Sequence, residues 1–197
     1  MIKKMKMKRN SKNIFKESLN FIVESKKYIY LSFLVFLVSA VFGFIFADKL
    51  VFINDILKNL VDKTEGLGTI ELIIFIFLNN LKSAFFGMIL GLAFGIVPVI
   101  NSIVNGTVLG FVFEKVYNIS GISDFWRILP HGIFELPAIF IALGIGMKLG
   151  FSFFLRDKNK SLLAELKSAV YAFLLVILPL LIIAAIIEGL LIGFAKT

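Results

Sequence analysis

The chain has 197 residues, 59% of them hydrophobic, whereas a soluble domain is about 45–50% apolar, and this excess lies in long runs that indicate a membrane protein. Its net charge is +8, and the positive charges cluster at the N-terminus and between Arg156 and Lys167, which favours anionic lipid over nucleic acid as a partner. Because there is no cysteine and one histidine, the sequence excludes disulfides, iron–sulfur clusters and a multi-histidine zinc site within one chain, and we expect no metal and no cofactor.

Residues 1–27 form a basic segment that we expect to lie on the cytoplasmic side. An amphipathic helix over 13–27 is one interpretation, because apolar residues recur there on one side, and a solvated positive flank is the other. Residues 28–197 are predicted to form a single transmembrane domain. Its first span covers 28–47, and the polar residues 48–70 that follow have the helical apolar spacing of an interfacial helix.

The next apolar run, residues 71–100, would be about 45 Å long as a helix, which exceeds a hydrocarbon core of about 30 Å. Asn79, Asn80 and Lys82 interrupt it. We therefore predict a second span over 71–97, with a helix entering from the interface before Lys82 and the span proper after it. A single long tilted helix is the alternative.

Pro98 and Asn101 predict a tight, uncharged turn, after which a third span covers 101–116. A short loop with an interfacial helix at 117–129 leads into a fourth span over 131–149, and a basic loop precedes a fifth over 169–193. Pro179 predicts a kink in the fifth span. The predicted fold class is thus an all-α, polytopic membrane helix bundle of five transmembrane helices with amphipathic interfacial helices.

The distribution of Lys and Arg predicts the orientation of this bundle. With the N-terminus inside, the inner segments hold nine, zero and five of these residues, and the outer ones three, two and one. This bias predicts a multi-pass protein of the cell membrane with a cytoplasmic N-terminus and an outside C-terminus.

Small residues recur at every fourth position of the predicted spans. In lipid, burying apolar surface gains little, so helices associate by close packing at small residues. We predict a tight bundle from this pattern, and use of one stripe in a homodimer is the alternative. The stripes of the second and fourth spans comprise Gly87, Gly91, Gly95, Ala138, Ala142 and Gly146.

Ionisable residues inside the spans are costly and mark the first place to look for function. His131 and Glu135 are four residues apart, so they share one face of a helix. In the predicted topology they lie in the outer half of the membrane with Lys82 and Glu188. We predict an intramembrane polar cluster of these four residues, in which Lys82 pairs with Glu135 or Glu188.

Four roles can be assigned to His131 and Glu135: a structural lock, part of a proton or ion path, a lipid- or partner-binding site, or a catalytic acid and base. No activated nucleophile accompanies them, so we predict that the protein is not an enzyme.

The run PHGIFELPAIFIALGIGMKLG, which contains Pro130, Gly132 and Pro137, resembles the signature of the stage II sporulation protein M family. The Asn-Gly of NGTVLG, which is Asn105 and Gly106, fits the same resemblance, which covers most of the chain from about Leu72 onward. Asn101 and Asn105 are also residues that start a helix well, and Gly106 permits close approach of another span.

The resemblance implies a multi-pass membrane protein, and sporulation members of the family are thought to act beside cell-wall hydrolases during engulfment. We therefore predict a non-enzymatic scaffold or assembly partner, embedded in the lipid bilayer and bound to a membrane or cell-envelope protein, with no nucleic acid partner. The alternative is a small transporter or channel for an ion, lipid or small solute that uses His131 and Glu135.

Overall fold

The computed structural model describes residues 11–122, 129–154 and 161–195. Within those ranges the chain is all-α, with no strand, and its helices succeed one another through short turns. They are α1 (Ser11–Glu24), α2 (Lys26–Ile45), α3 (Phe52–Thr64), α4 (Thr69–Ile89), α5 (Ile96–Ser120), α6 (Leu129–Phe154), α7 (Leu162–Ala172) and α8 (Leu178–Ala195).

Five helical segments in these ranges are long and apolar enough to cross a membrane, which confirms the predicted all-α bundle of five. Two further helices, α1 and α3, are short and amphipathic. The spanning segments are Lys26–Ile45, Thr69–Leu92, Ile96–Ser120, Glu135–Ser152 and Leu162–Gly193.

Glycine contacts show how the spanning helices run relative to one another. Gly106 and Gly110 of α5 meet Phe36 and Ala40 of α2 in the same order along both helices, so α2 and α5 are parallel. In α4 and α8 the order is reversed, because Gly189 meets Ile73 and Gly193 meets Thr69 of α4.

The same comparison makes α4 and α6 parallel, since Gly87 meets Leu143 and Gly91 meets Gly146. The five spans therefore alternate in direction. We call the end of the bundle at Lys26 and Leu92 the proximal end, and the end at Ile45 and Thr69 the distal end. The first span begins at the proximal end, and the last span finishes at the distal end.

The turn between the second and third spans lies earlier than the predicted turn at Pro98 and Asn101. After α4 the chain makes a 3-10 turn at Leu90–Leu92 and then reverses at Phe94 and Gly95, both with positive φ (63° and 70°). Gly95 tolerates this left-handed conformation because it has no Cβ. Pro98 lies inside the first turn of α5, where the missing N–H forfeits no helical hydrogen bond.

The residues from Thr69 to Ile89 form one helix that passes through Asn79, Asn80 and Lys82 without a break. The predicted break at Lys82 is therefore absent. The alternative of one long helix over 71–100 is also wrong, because the chain reverses at Phe94 and Gly95. Polar side chains do not interrupt a helix whose backbone hydrogen bonds are all made internally.

The last span contains a π-helical turn, Phe173–Ile177, between α7 and α8. It lies immediately before Pro179, which cannot donate a backbone hydrogen bond to the preceding turn. The irregularity predicted at Pro179 is thus present as a wider, π-helical turn on the N-terminal side of the proline.

Candidate functional site

Helix α6 is the central helix of the bundle and carries the main candidate residue. Buried positions make up 67% of its spanning window, against 22–33% in the other spans. Ala138 and Ala142 are fully buried on it, which leaves room for neighbouring helices to approach closely. Glu135 lies one to two turns after the start of α6 and is half-buried.

The side-chain amide of Asn80 on α4 lies close enough to the Glu135 carboxylate to act as its hydrogen-bond donor. Asn80 is 7% exposed, so this contact lies inside the bundle and joins two spans. A buried carboxylate needs such a donor, because an unsatisfied polar group away from water is costly.

Glu188 of α8 comes close enough to Glu135 for the two carboxyl groups to interact electrostatically. One oxygen of Glu188, Oε2, is buried and has no hydrogen-bond partner among the described residues. Two neighbouring carboxylates inside the bundle repel each other when both are ionised, so this pair is costly to bury.

Lys82 does not join this group. It is exposed on α4, and it is two residues from the inward-facing Asn80, a spacing that places the two side chains on nearly opposite faces of the helix. No ion pair links Lys82 to Glu135 or Glu188 in the described structure, which corrects the predicted pairing. The side chain of His131 lies outside the described residues, as does that of Pro130.

Sequence reasoning missed Asn80 as the partner of Glu135. The signal was its place beside Asn79 within an apolar run, but two adjacent polar residues point in different directions on a helix. Sequence alone could not decide which of Asn79, Asn80 and Lys82 faces inward.

Asn101 and Asn105 form a second polar connection between α4 and α5. The Asn105 amide donates to the Asn101 side-chain oxygen at 2.7 Å, and the Asn101 amide donates to the Ser83 hydroxyl at 3.2 Å. Asn101 therefore does not cap α5, which begins five residues earlier, at Ile96. Its role in the structure is to hold two spans together.

Glycines bring the backbones of neighbouring spans into contact. A Cβ on Gly91 would overlap the carbonyl oxygen of Gly146, and one on Gly106 would overlap that of Phe36. Gly87 instead accommodates the side chain of Leu143, and Gly95 forms the turn already described. At the distal end of α6, Gly132 approaches Leu136 of its own helix, and Pro137 is exposed.

Lys148, at the proximal end of α6, is a buried charge that sequence reasoning did not single out. It is 7% exposed, its ammonium lies 3.9 Å from the centre of the Phe21 ring, and it pairs with Glu24 at 3.2 Å. Phe21 and Glu24 both belong to α1, so this contact fastens the N-terminal helix to the bundle. The sequence did not indicate that Lys148 is buried, because it precedes a run of basic residues and is predicted to belong to the same basic loop.

The groups at the Glu135 site can form hydrogen bonds, and of these groups only the carboxyls of Glu135 and Glu188 can bind and release protons. Within the described residues, no set of three or more His, Cys, Asp or Glu side chains could hold a metal ion.

Comparison with known proteins places these residues in a family context. The family model of Stage II sporulation protein M matches residues 32–191, which include all five spans in large part. An uncharacterized protein of Methanocaldococcus jannaschii is 32% identical over 172 residues, covering 81% of this chain and 90% of its own length. A second uncharacterized protein of that organism is 29% identical over 196 residues, covering 90% of this chain and 88% of its own length. No solved structure matches the chain.

Proposed function

The chain belongs to the stage II sporulation protein M family, and on that premise we propose that it is a non-enzymatic membrane scaffold that assembles partner proteins through its surface. The observation that carries the proposal is the way the spanning helices are held together inside the bundle. The α4 and α6 spans meet backbone to backbone at Gly91 and Gly146, and a hydrogen bond from Asn101 to Ser83 joins α5 to α4. An interior built this way suits a rigid platform.

The contact between Asn80 and Glu135 supports a structural role for the central carboxylate. It ties α4 to α6 near the middle of the bundle, where an unpaired carboxylate would be costly. The helices outside the spans, α1 and α3, have 14 and 13 residues, so neither is of a size to hold a catalytic site of its own. Chemistry outside the membrane would then belong to a partner.

The experiment uses Glu135→Gln, which removes a carboxylate but keeps an oxygen that can accept the Asn80 hydrogen bond. A scaffold should retain its fold and its complexes in this variant, because the contact between residue 135 and Asn80 is preserved. The full chain, wild type and variant, is tagged and recovered from the cells that make it, and the size and composition of the complexes are compared. Glu65→Gln, at an exposed carboxylate outside the spans, is the matched control.

The same proteins are placed in vesicles that enclose a pH-sensitive dye, because the Glu135 and Glu188 pair is the feature a proton or ion path would use. We expect vesicles containing the wild type to hold an imposed pH gradient as long as empty vesicles do. Dissipation that requires the wild-type protein and disappears in Glu135→Gln would overturn the scaffold in favour of transport.

A further inference from the structure

The outward face of α4 carries two polar side chains at a depth where lipid tails would surround them. Lys82 and Asn79 are both exposed and lie one helical turn apart, so they share a face. Around them the exposed side chains are apolar, including Leu78, Phe85 and Phe86. Among the described residues at this depth on the outward face of α4, only Lys82 and Asn79 are polar.

Lys82 is far from both ends of its span. At 1.5 Å per residue it lies about 20 Å from Thr69 and about 15 Å from Leu92. The span is about as long as a hydrocarbon core is thick, so Lys82 lies near the bilayer midplane. From there an ammonium group reaches neither headgroup layer, and a charge left against lipid tails is costly.

No carboxylate of this chain compensates Lys82 within the described residues. Glu135 contacts Asn80 inside the bundle, and Glu188 has a buried oxygen beside Glu135. Within the described part of the chain Lys82 thus has no complementary charge, and a carboxylate of another protein would provide one.

We propose that this face of α4 docks a membrane-spanning helix of a partner protein that carries a carboxylate near the bilayer midplane. Lys82 pairs with that carboxylate, and the Asn79 amide donates a hydrogen bond to its second oxygen. The flanking apolar side chains exclude lipid around the pair. This inference rests on the proposed scaffold function and identifies the chemistry of the partner it assembles.

A second copy of the chain is a poorer occupant. In a two-fold symmetric contact through α4, residues near the axis face their own counterparts, so Lys82 would approach Lys82 of the other copy. Like charges at this depth repel strongly. The carboxylates of this chain at a similar depth, Glu135 and Glu188, are directed into the bundle and are not available to a neighbour.

The test uses the full chain in vesicles of phosphatidylcholine alone. Since the chain has no cysteine, Glu65→Cys on the exposed loop before α4 provides one site for a donor dye. The probe is an acceptor-labelled polyleucine helix of about 20 residues with one central Asp, compared with the same helix carrying Asn. Energy transfer between the dyes reports binding.

We expect the Asp helix to bind about tenfold more tightly than the Asn helix, which is the size of one good polar contact in a membrane. Lys82→Gln should abolish this preference, Lys82→Arg should keep it, and Lys63→Gln on exposed α3 should leave it unchanged. Lys82→Gln removes a charge from a lipid-facing surface, so the variant is expected to fold, and its circular dichroism and thermal unfolding are measured in parallel.

Equal binding of the two helices, or a preference that survives in Lys82→Gln, would overturn the proposal. Energy transfer between two labelled copies of the chain that is lost in Lys82→Gln would do so as well, because it would make a second copy the occupant. A preference abolished by adding phosphatidylglycerol would assign the site to an anionic headgroup. None of these outcomes depends on the pH-gradient measurement, so a failure of the docking site and a failure of the scaffold function can be told apart.

Discussion

At the scale of single residues, Gly91 sets how closely α4 and α6 approach. A methyl group there would overlap the backbone of Gly146, which cannot rotate away as a side chain could. We expect Gly91→Ala to lower the free energy of unfolding by about 1–3 kcal/mol, the usual cost of overpacking a tight interior. Reversible unfolding in mixed detergent micelles measures this difference.

Gly68→Ala is the matched control for that substitution. The Cβ would have the Glu71 side-chain oxygen as its nearest neighbour, at 3.7 Å, and the backbone φ of −71° suits alanine. Its effect should stay below about 0.5 kcal/mol. Equal destabilisation by the two substitutions would show that close approach at Gly91 does not hold the helices together.

At the scale of elements, α1 packs against the bundle around one deeply buried aromatic side chain. Phe21 is 6% exposed, and Lys148 lies over its ring. We expect Phe21→Ala to lower the free energy for local opening of α1 by about 3 kcal/mol, because both the buried ring and its contact with Lys148 are lost. Faster amide hydrogen exchange confined to 11–24 reports this opening.

Phe15→Ala on the same helix removes a ring that is 47% exposed and should change exchange in α1 little. If both substitutions accelerate exchange equally, α1 is not fastened through Phe21. The sequence predicted an amphipathic helix here, but it did not reveal the attachment, because Phe21 and Lys148 are more than 120 residues apart.

At the scale of the whole molecule, the alternating directions of the five spans make a prediction about sidedness. Lys26 lies at the proximal end and Glu65 close to the distal end, and both are exposed. With a cytoplasmic N-terminus, a membrane-impermeant thiol reagent should label Glu65→Cys in intact cells and should label Lys26→Cys only after permeabilisation. Labelling of both in intact cells would contradict the alternation, and the reverse pattern would contradict the orientation alone.

The sequence by itself determined the fold class, the number of spans and the family, because each depends on properties that persist along the chain. Apolar runs of about 20 residues fix the spans, since lipid forces backbone hydrogen bonds to be made within each helix. The run PHGIFEL, which includes Glu135, was visible without any coordinates. The positions of turns were less certain, because Gly95 and Pro98 both interrupt the same apolar run and a sequence does not rank them.

Only the tertiary structure decided which polar residues meet. Asn80 and Lys82 are two positions apart, yet one contacts Glu135 inside the bundle and the other faces outward. Which of the two side chains faces inward depends on the rotation of α4 about its own axis. The glycines at the close contact between α4 and α6 set this rotation. Close packing between distant segments fixed this rotation, so no local pattern in the sequence could predict it.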